Sequence, residues 1–116
     1  MTGVQAGEEK KKNETTFFVP GTASTVRTPL AGPEFMLLSE SLDPNVLRLY
    51  SFEVRNGRRQ ITFNEKKRKQ NPVPIIVSVF PVSKGLYKIR VDESLERGEY
   101  GLTPDDSNDV FCFAVY

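Results

Sequence analysis

The chain has 116 residues, 38% of them apolar and 27% charged, with a formal net charge of +1; that size predicts one domain rather than two. It contains no His, no Trp and a single Cys, which rules out imidazole-based nucleophilic sites, a structural zinc with its usual four Cys and His ligands, and an internal disulfide. No apolar run approaches the roughly 20 residues of a membrane-spanning helix, and the balance of apolar and charged residues reads as a soluble globular domain.

Residues 1–15, with Glu8, Glu9, Lys10, Lys11 and Lys12, lack apolar periodicity, so the expectation there is a flexible charged tail that adds nothing to a core. No signal or transit peptide is visible in this stretch, although a mature chain given a new Met1 after processing reads the same. Thr2 occupies the position where a myristoylation signal needs Gly. Asn13-Glu14-Thr15 matches the glycosylation sequon, which matters only in a secreted eukaryotic protein. Compartment stays open between the cytoplasm and an exported location.

From Thr16 onward the chain alternates short apolar stretches with Pro and Gly. The stretches are Phe17–Val19, Val26, Phe35–Leu38, Val46–Val54, Ile61–Phe63, Ile75–Val82, Leu86–Val91, Tyr100–Leu102 and Val110–Tyr116. That spacing predicts an all-β domain over 16–116, a small two-sheet sandwich of seven to nine antiparallel strands, with a small OB-like barrel as the alternative. Asp43-Pro44 predicts one helix-like turn, with a capping Asp before a Pro at the first helical position.

Arg55-Asn56-Gly57-Arg58 predicts a hairpin, because Asn-Gly supplies the two positive φ angles of a type I′ turn. Pairing Arg55 with Arg58 sets Phe52 opposite Ile61 and Tyr50 opposite Phe63 on an apolar face. It sets Glu53 opposite Gln60 and Ser51 opposite Thr62 on a polar one. A second hairpin joins Ile75–Val82 to Leu86–Val91 through Ser83, Lys84 and Gly85, with Pro81 requiring an edge or bulged strand. The last strand is apolar on both faces, Phe111, Phe113 and Val115 against Val110, Cys112 and Ala114, and belongs centrally between layers. Cys112 there reads as a small apolar filler rather than a reactive thiol.

Charge is segregated along the chain. Pro44–Val91 holds eleven Lys and Arg against two Glu, whereas Asp92–Tyr116 holds seven acids against Arg97. Arg55, Arg58, Arg59, Lys66, Lys67, Arg68 and Lys69 gather at the turn and far end of the first hairpin, as a candidate grip on phosphates. In that reading Tyr50, Phe52 and Phe63 are stacking platforms for bases. The plainer reading makes the rings core and the cations a solvated loop, so that charge reversal at Arg58, Arg59, Lys67 and Arg68 leaves folding intact.

Asp105-Asp106-Ser107-Asn108-Asp109 offers oxygen ligands but fails the calcium-loop pattern, with Val110 where Gly is needed and Tyr116 where Glu is needed. No metal or other cofactor is expected. Paired carboxylates in apolar surroundings, phosphate-cradling Gly loops and nucleophile elbows are all missing, so no catalytic residue is assigned.

Leu86-Tyr87-Lys88-Ile89, Leu95, Gly98-Glu99-Tyr100-Gly101 and Phe111-Cys112-Phe113-Ala114-Val115 form a series with a known likeness. It resembles a domain of uncharacterised bacterial proteins, many of them exported, whose carboxy-terminal pattern runs Leu-Tyr-Lys-Ile, Leu, Pro-Gly-Glu-Tyr and Tyr-Cys-Phe-Gly-Val. Pro44, Leu49, Tyr50 and Arg59 match it more loosely, while Arg97 and Ala114 replace its Pro and its last Gly. The resemblance implies a β-sandwich-like accessory domain, with the bacterial envelope as one open setting beside the cytoplasm and with no activity to carry over. A physical role for Gly-Glu-Tyr is a tight strand entry at Gly98 and a buried Tyr100 ring whose hydroxyl reaches a backbone acceptor, as in a tyrosine corner. The functional expectation is a non-enzymatic accessory or protein-interaction β-domain, its partner another protein. The alternative is a nucleic-acid-binding β-barrel that uses the basic hairpin.

Overall fold

A computed structural model describes residues 3–38, 43–104 and 108–116, with only the backbone of Pro44. These residues form twelve strands: β1 (Gly3–Gln5), β2 (Gly7–Lys11), β3 (Glu14–Pro20), β4 (Arg27–Thr28), β5 (Glu34–Leu38), β6 (Leu47–Ser51), β7 (Glu53–Arg55), β8 (Arg58–Asn64), β9 (Val77–Ser83), β10 (Leu86–Val91), β11 (Gly98–Pro104) and β12 (Asp109–Val115). Among the described residues the only helical pieces are single 3-10 turns at Pro44–Val46 and Arg68–Gln70. The first lies where Asp43-Pro44 predicted a turn, and the Asp43 carboxylate accepts the Asn45 N–H at 2.9 Å.

The strands make three sheets rather than two. Sheet I runs β1-β12-β11-β6, with β4 added in parallel beside the end of β12. Sheet II runs β2-β3-β8-β7 and sheet III runs β5-β10-β9. Among the described residues no closed barrel forms, so the OB-like alternative gives way to a sandwich-like stack.

Sheet I is the middle layer, and the two-sided apolar pattern of β12 is the reason. Phe113 and Val115 pack with Leu37, Leu47, Leu49, Ile89, Leu102 and their neighbours in the larger core, against sheet III. Val110 and Cys112, on the opposite face, pack with Ala6, Val19, Phe17 and Phe52 against sheet II. Sheets I and II also share chain at two corners. The chain passes from β1 to β2 at Ala6, whose N–H donates to the Asn108 carbonyl at 2.8 Å. It passes from β6 to β7 at Phe52, whose N–H donates to the Glu99 carbonyl, also at 2.8 Å. Strands that turn between sheets in this way are the usual corners of orthogonal packing.

The first hairpin has its predicted turn, with φ of 56° at Asn56 and 73° at Gly57. Arg55 pairs with Arg58 and Glu53 with Gln60. The ladder then stops at Phe52, and Tyr50 pairs with Gly101 of β11 instead of Phe63. The predicted faces survive the change of partner, because the Tyr50 and Phe63 rings still meet edge to face at 5.6 Å. In the second hairpin Lys84 and Gly85 form the turn, Gly85 has φ of 74°, and β9 is an edge strand with an irregularity beside Pro81. Both accommodations of Pro81 are therefore present.

The predicted tail is corrected by the structure. Gly3–Gln5 pairs with Phe111–Asp109 of β12, and Gly7–Lys11 pairs with Phe18–Glu14 of β3. These residues lack apolar periodicity because every residue of β1 and all but Gly7 of β2 are exposed, so the strands contribute backbone pairing rather than side-chain burial. Ala6, between them, is a buried core residue.

Candidate functional site

The seven candidate basic residues do not form one patch. Strand β8 is seven residues long and separates the turn end from the far end by about 20 Å. At the turn end, Arg55 pairs with Glu53 at 3.3 Å in solvent. Arg58 makes a bidentate pair with Glu9 at 2.7 and 3.0 Å, donates to Gln60 and lies 4.3 Å over the Phe18 ring. This pairing holds the Glu9 carboxyl below its ordinary pKa and raises that of Arg58.

Arg59 is buried rather than solvated, which corrects the expectation that its charge can be reversed without cost. It is 6% exposed and points between sheets I and II. Nη1 donates to Ser24 Oγ at 2.7 Å, Nη2 to the Pro20 carbonyl at 2.8 Å and Nε to the Gly21 carbonyl at 3.2 Å. Ser24 donates from both its hydroxyl and its N–H to Glu99 Oε1, each at 2.7 Å, and Glu99 lies 3.9 Å from Arg59. A buried cation is tolerated only with such partners, and this network pins the 20–24 segment to β8 and β11. The partners, Ser24 and Glu99, lie 35 and 40 residues from Arg59 and carried no local signal.

Lys66, Lys67, Arg68 and Lys69 are exposed at the other end of β8, as expected. The rings assigned as stacking platforms face inward. Tyr50, Phe52 and Phe63 line a cavity of about 250 Å³ between sheets I and II, together with Phe17, Ile61 and Val110. Cys112 packs nearby, and burial pushes its thiol pKa up, with a smaller opposing effect of Arg59. Tyr100 stacks on Phe113 at 5.5 Å and donates its hydroxyl to the Glu96 carbonyl at 2.7 Å. Gly98 does not need to be glycine for the tight entry expected of it: its φ is not positive, and an added Cβ would meet only the Tyr100 ring at an ordinary 3.7 Å.

The surface that remains unexplained by folding is the outer face of sheet III. Ile89 and Val91 of β10 are buried inward, so Lys88 and Arg90 point outward. Across the ladder Lys88 lies between Met36 and Phe80, and Arg90 between Glu34 and Ser78. Met36 is 48% exposed, Leu38 76%, Phe80 37% and Val82 56%. Lys88 Nζ and Arg90 Cζ sit 5.5 and 5.0 Å from the centre of the Phe80 ring. The result is an apolar surface with cations set into it, flanked by the two edge strands β5 and β9.

Comparison of the chain with protein-family models, curated proteins and solved structures finds no match. Site chemistry therefore rests on the geometry alone. No group of three or more metal-ligating side chains occurs among the described residues. Asp105, Asp106 and Ser107 of the acidic loop lie outside them. Among the described residues no helix is long and apolar enough to cross a membrane.

Proposed function

We propose that this chain is a non-enzymatic accessory domain that binds another protein through the outer face of sheet III. The observation that carries the reading is the row of exposed Met36, Leu38 and Phe80 around Lys88. Contiguous apolar side chains at a surface are costly to hydrate and mark contact sites. The fit is to an extended or flat protein segment with apolar side chains and acidic residues beside them. Lys84 and Lys88 make no ion pair with a described residue, and both are available to such a partner. Edge strands β5 and β9 add unpaired backbone groups along which a segment can align. The resemblance carried by Gly98-Glu99-Tyr100 and Phe111-Cys112-Phe113 agrees with an accessory role, and extends the proposal to a bacterial setting.

The test is site-specific photo-crosslinking in cells that make the protein, with a benzophenone side chain at Leu38 or Phe80 and at exposed Glu9 as a control. The expected outcome is one discrete protein adduct from positions 38 and 80 that is absent from position 9 and lost when Met36→Asp is added. Adducts equal at all three positions refute the reading. A dimer by light scattering that Met36→Asp dissolves would replace it with self-association.

A further inference from the structure

Two basic runs separated by more than fifty residues in sequence meet at one end of sheet II. Lys11 pairs with Glu14 across β2 and β3, and Glu14 with Asn64 across β3 and β8. The Glu65 N–H donates to the Asn13 carbonyl at 2.8 Å, so the turn carrying Lys12 and Asn13 abuts the segment that follows β8. That segment is itself braced. Asn64 Oδ1 accepts the Lys66 and Lys67 N–H groups, each at 2.9 Å. Asn71 Oδ1 accepts the Asn64 N–H at 2.7 Å, and Asn71 Nδ2 donates to the Asn64 carbonyl at 3.0 Å. Lys10, Lys11, Lys12, Lys66, Lys67, Arg68 and Lys69 are all exposed on this frame. None of them makes an ion pair with a described residue, although Glu14 and Glu65 lie at the same end.

We propose that this end of sheet II binds the phosphodiester backbone of nucleic acid without regard to sequence. It is a different site from the one the hairpin sequence outlined: Lys10, Lys11 and Lys12 take the place of Arg55, Arg58 and Arg59, which are held by Glu53, by Glu9 and by the Ser24–Glu99 network. Clustered cations without carboxylate partners bind phosphates by releasing condensed counterions. An anionic membrane surface fits less well, because attachment by one basic patch needs apolar insertion beside it. Val73, two residues beyond Asn71, is 81% exposed, but one aliphatic side chain is a small insertion and nothing aromatic is exposed beside it. Among the described residues the exposed rings are Phe80 in sheet III and Tyr116 after β12, so recognition is of the backbone and not of bases.

The experiment is fluorescence anisotropy of labelled single-stranded and duplex oligonucleotides across a salt series. It compares the wild type with two double variants of equal charge change, Lys12→Glu with Lys67→Glu and Arg55→Glu with Lys84→Glu. Thermal melts establish that each variant folds. Wild-type binding is expected at roughly micromolar protein at low salt, with a log–log salt slope on duplex between about −3 and −6. The Lys12/Lys67 variant should bind at least about tenfold more weakly with a flatter slope, and the Arg55/Lys84 variant within about twofold of wild type. Equal weakening by both variants would show a net-charge effect and overturn the site. So would no binding at about 100 μM, or binding to anionic lipid vesicles with none to oligonucleotides. The outer face of sheet III is unaltered in the Lys12/Lys67 variant, so its photo-crosslinks are expected to persist whichever way this test falls.

Discussion

At the scale of single residues, burial decides which polar groups can be changed. Arg59 and Lys67 look alike in the sequence, yet Arg59 is buried among Ser24, Glu99 and two carbonyl groups while Lys67 is exposed. Removing one partner of a buried ionic network leaves the other desolvated and unpaired, which costs about 3–5 kcal/mol. Arg59→Met is therefore expected to lose about that much in urea unfolding, against roughly 0.5 kcal/mol or less for Lys67→Glu; similar midpoints for the two variants would contradict the buried network. Tyr100 makes a second case, through pH. Burial is the main cause that raises its pKa, and Glu96 and Glu93 add to it. A raised folded pKa favours the neutral phenol in the native state, so its contribution is complete below about pH 10 and is lost as pH rises further. Cys112, also raised chiefly by burial, adds loss in the same direction. Tyr100→Phe is expected to cost about 1 kcal/mol at neutral pH through the lost hydrogen bond to Glu96. It should also show a shallower alkaline decline, so that the two stability curves converge above pH 10; parallel curves would remove Tyr100 from the alkaline transition.

At the scale of elements, local chemistry was legible and partner choice was not. Asn56-Gly57 fixed its turn and the first pairs beyond it because the positive φ values and the alternation of faces act within a few residues. Pro81 similarly announced an edge strand, since a residue without an N–H weakens any ladder on that side. The break at Phe52 depends instead on β11 competing with β8 for the same run of chain. Gly101 shows how that competition is settled: a Cβ there would lie 2.5 Å from the Phe52 ring and 2.8 Å from Val110 Cγ1. Only a residue without a side chain lets β11 lie beneath the ring at the corner where the chain changes sheets. Nothing adjacent to Phe52 in sequence reports that contact. The basic site divides in the same way. Lys66–Lys69 stood out as a local run, but its union with Lys10–Lys12 follows from the pairing of Glu14 with Asn64, fifty residues away.

At the scale of the whole molecule, the all-β class followed from the spacing of apolar stretches, whereas the full extent of sheets I and II required the amino-terminal strands. With residues 1–15 set aside as a tail, β12 is paired only with β11 over its first half and β3 becomes an edge. The structure restores both partners. β1 and β4 lie end to end along one side of β12, β2 covers β3, and Ala6 fills the corner between sheets I and II. Gly7 lies directly beneath the Phe18 ring, where a Cβ would approach to 2.3 Å, so β2 also seats the ring over which Arg58 stacks. A mobile tail can be removed with no effect on unfolding, whereas these strands cannot. Deletion of residues 1–12 is therefore expected to lower stability well beyond the ~0.5 kcal/mol of an ordinary surface change. It should also expose the amide hydrogens of β3 and of the amino-terminal half of β12 to exchange, because both lose the ladder that covers them. Unchanged melting and unchanged exchange in those two strands would return residues 1–12 to the status of a tail. They would also dissolve the frame on which Lys10, Lys11 and Lys12 are brought beside Lys66–Lys69.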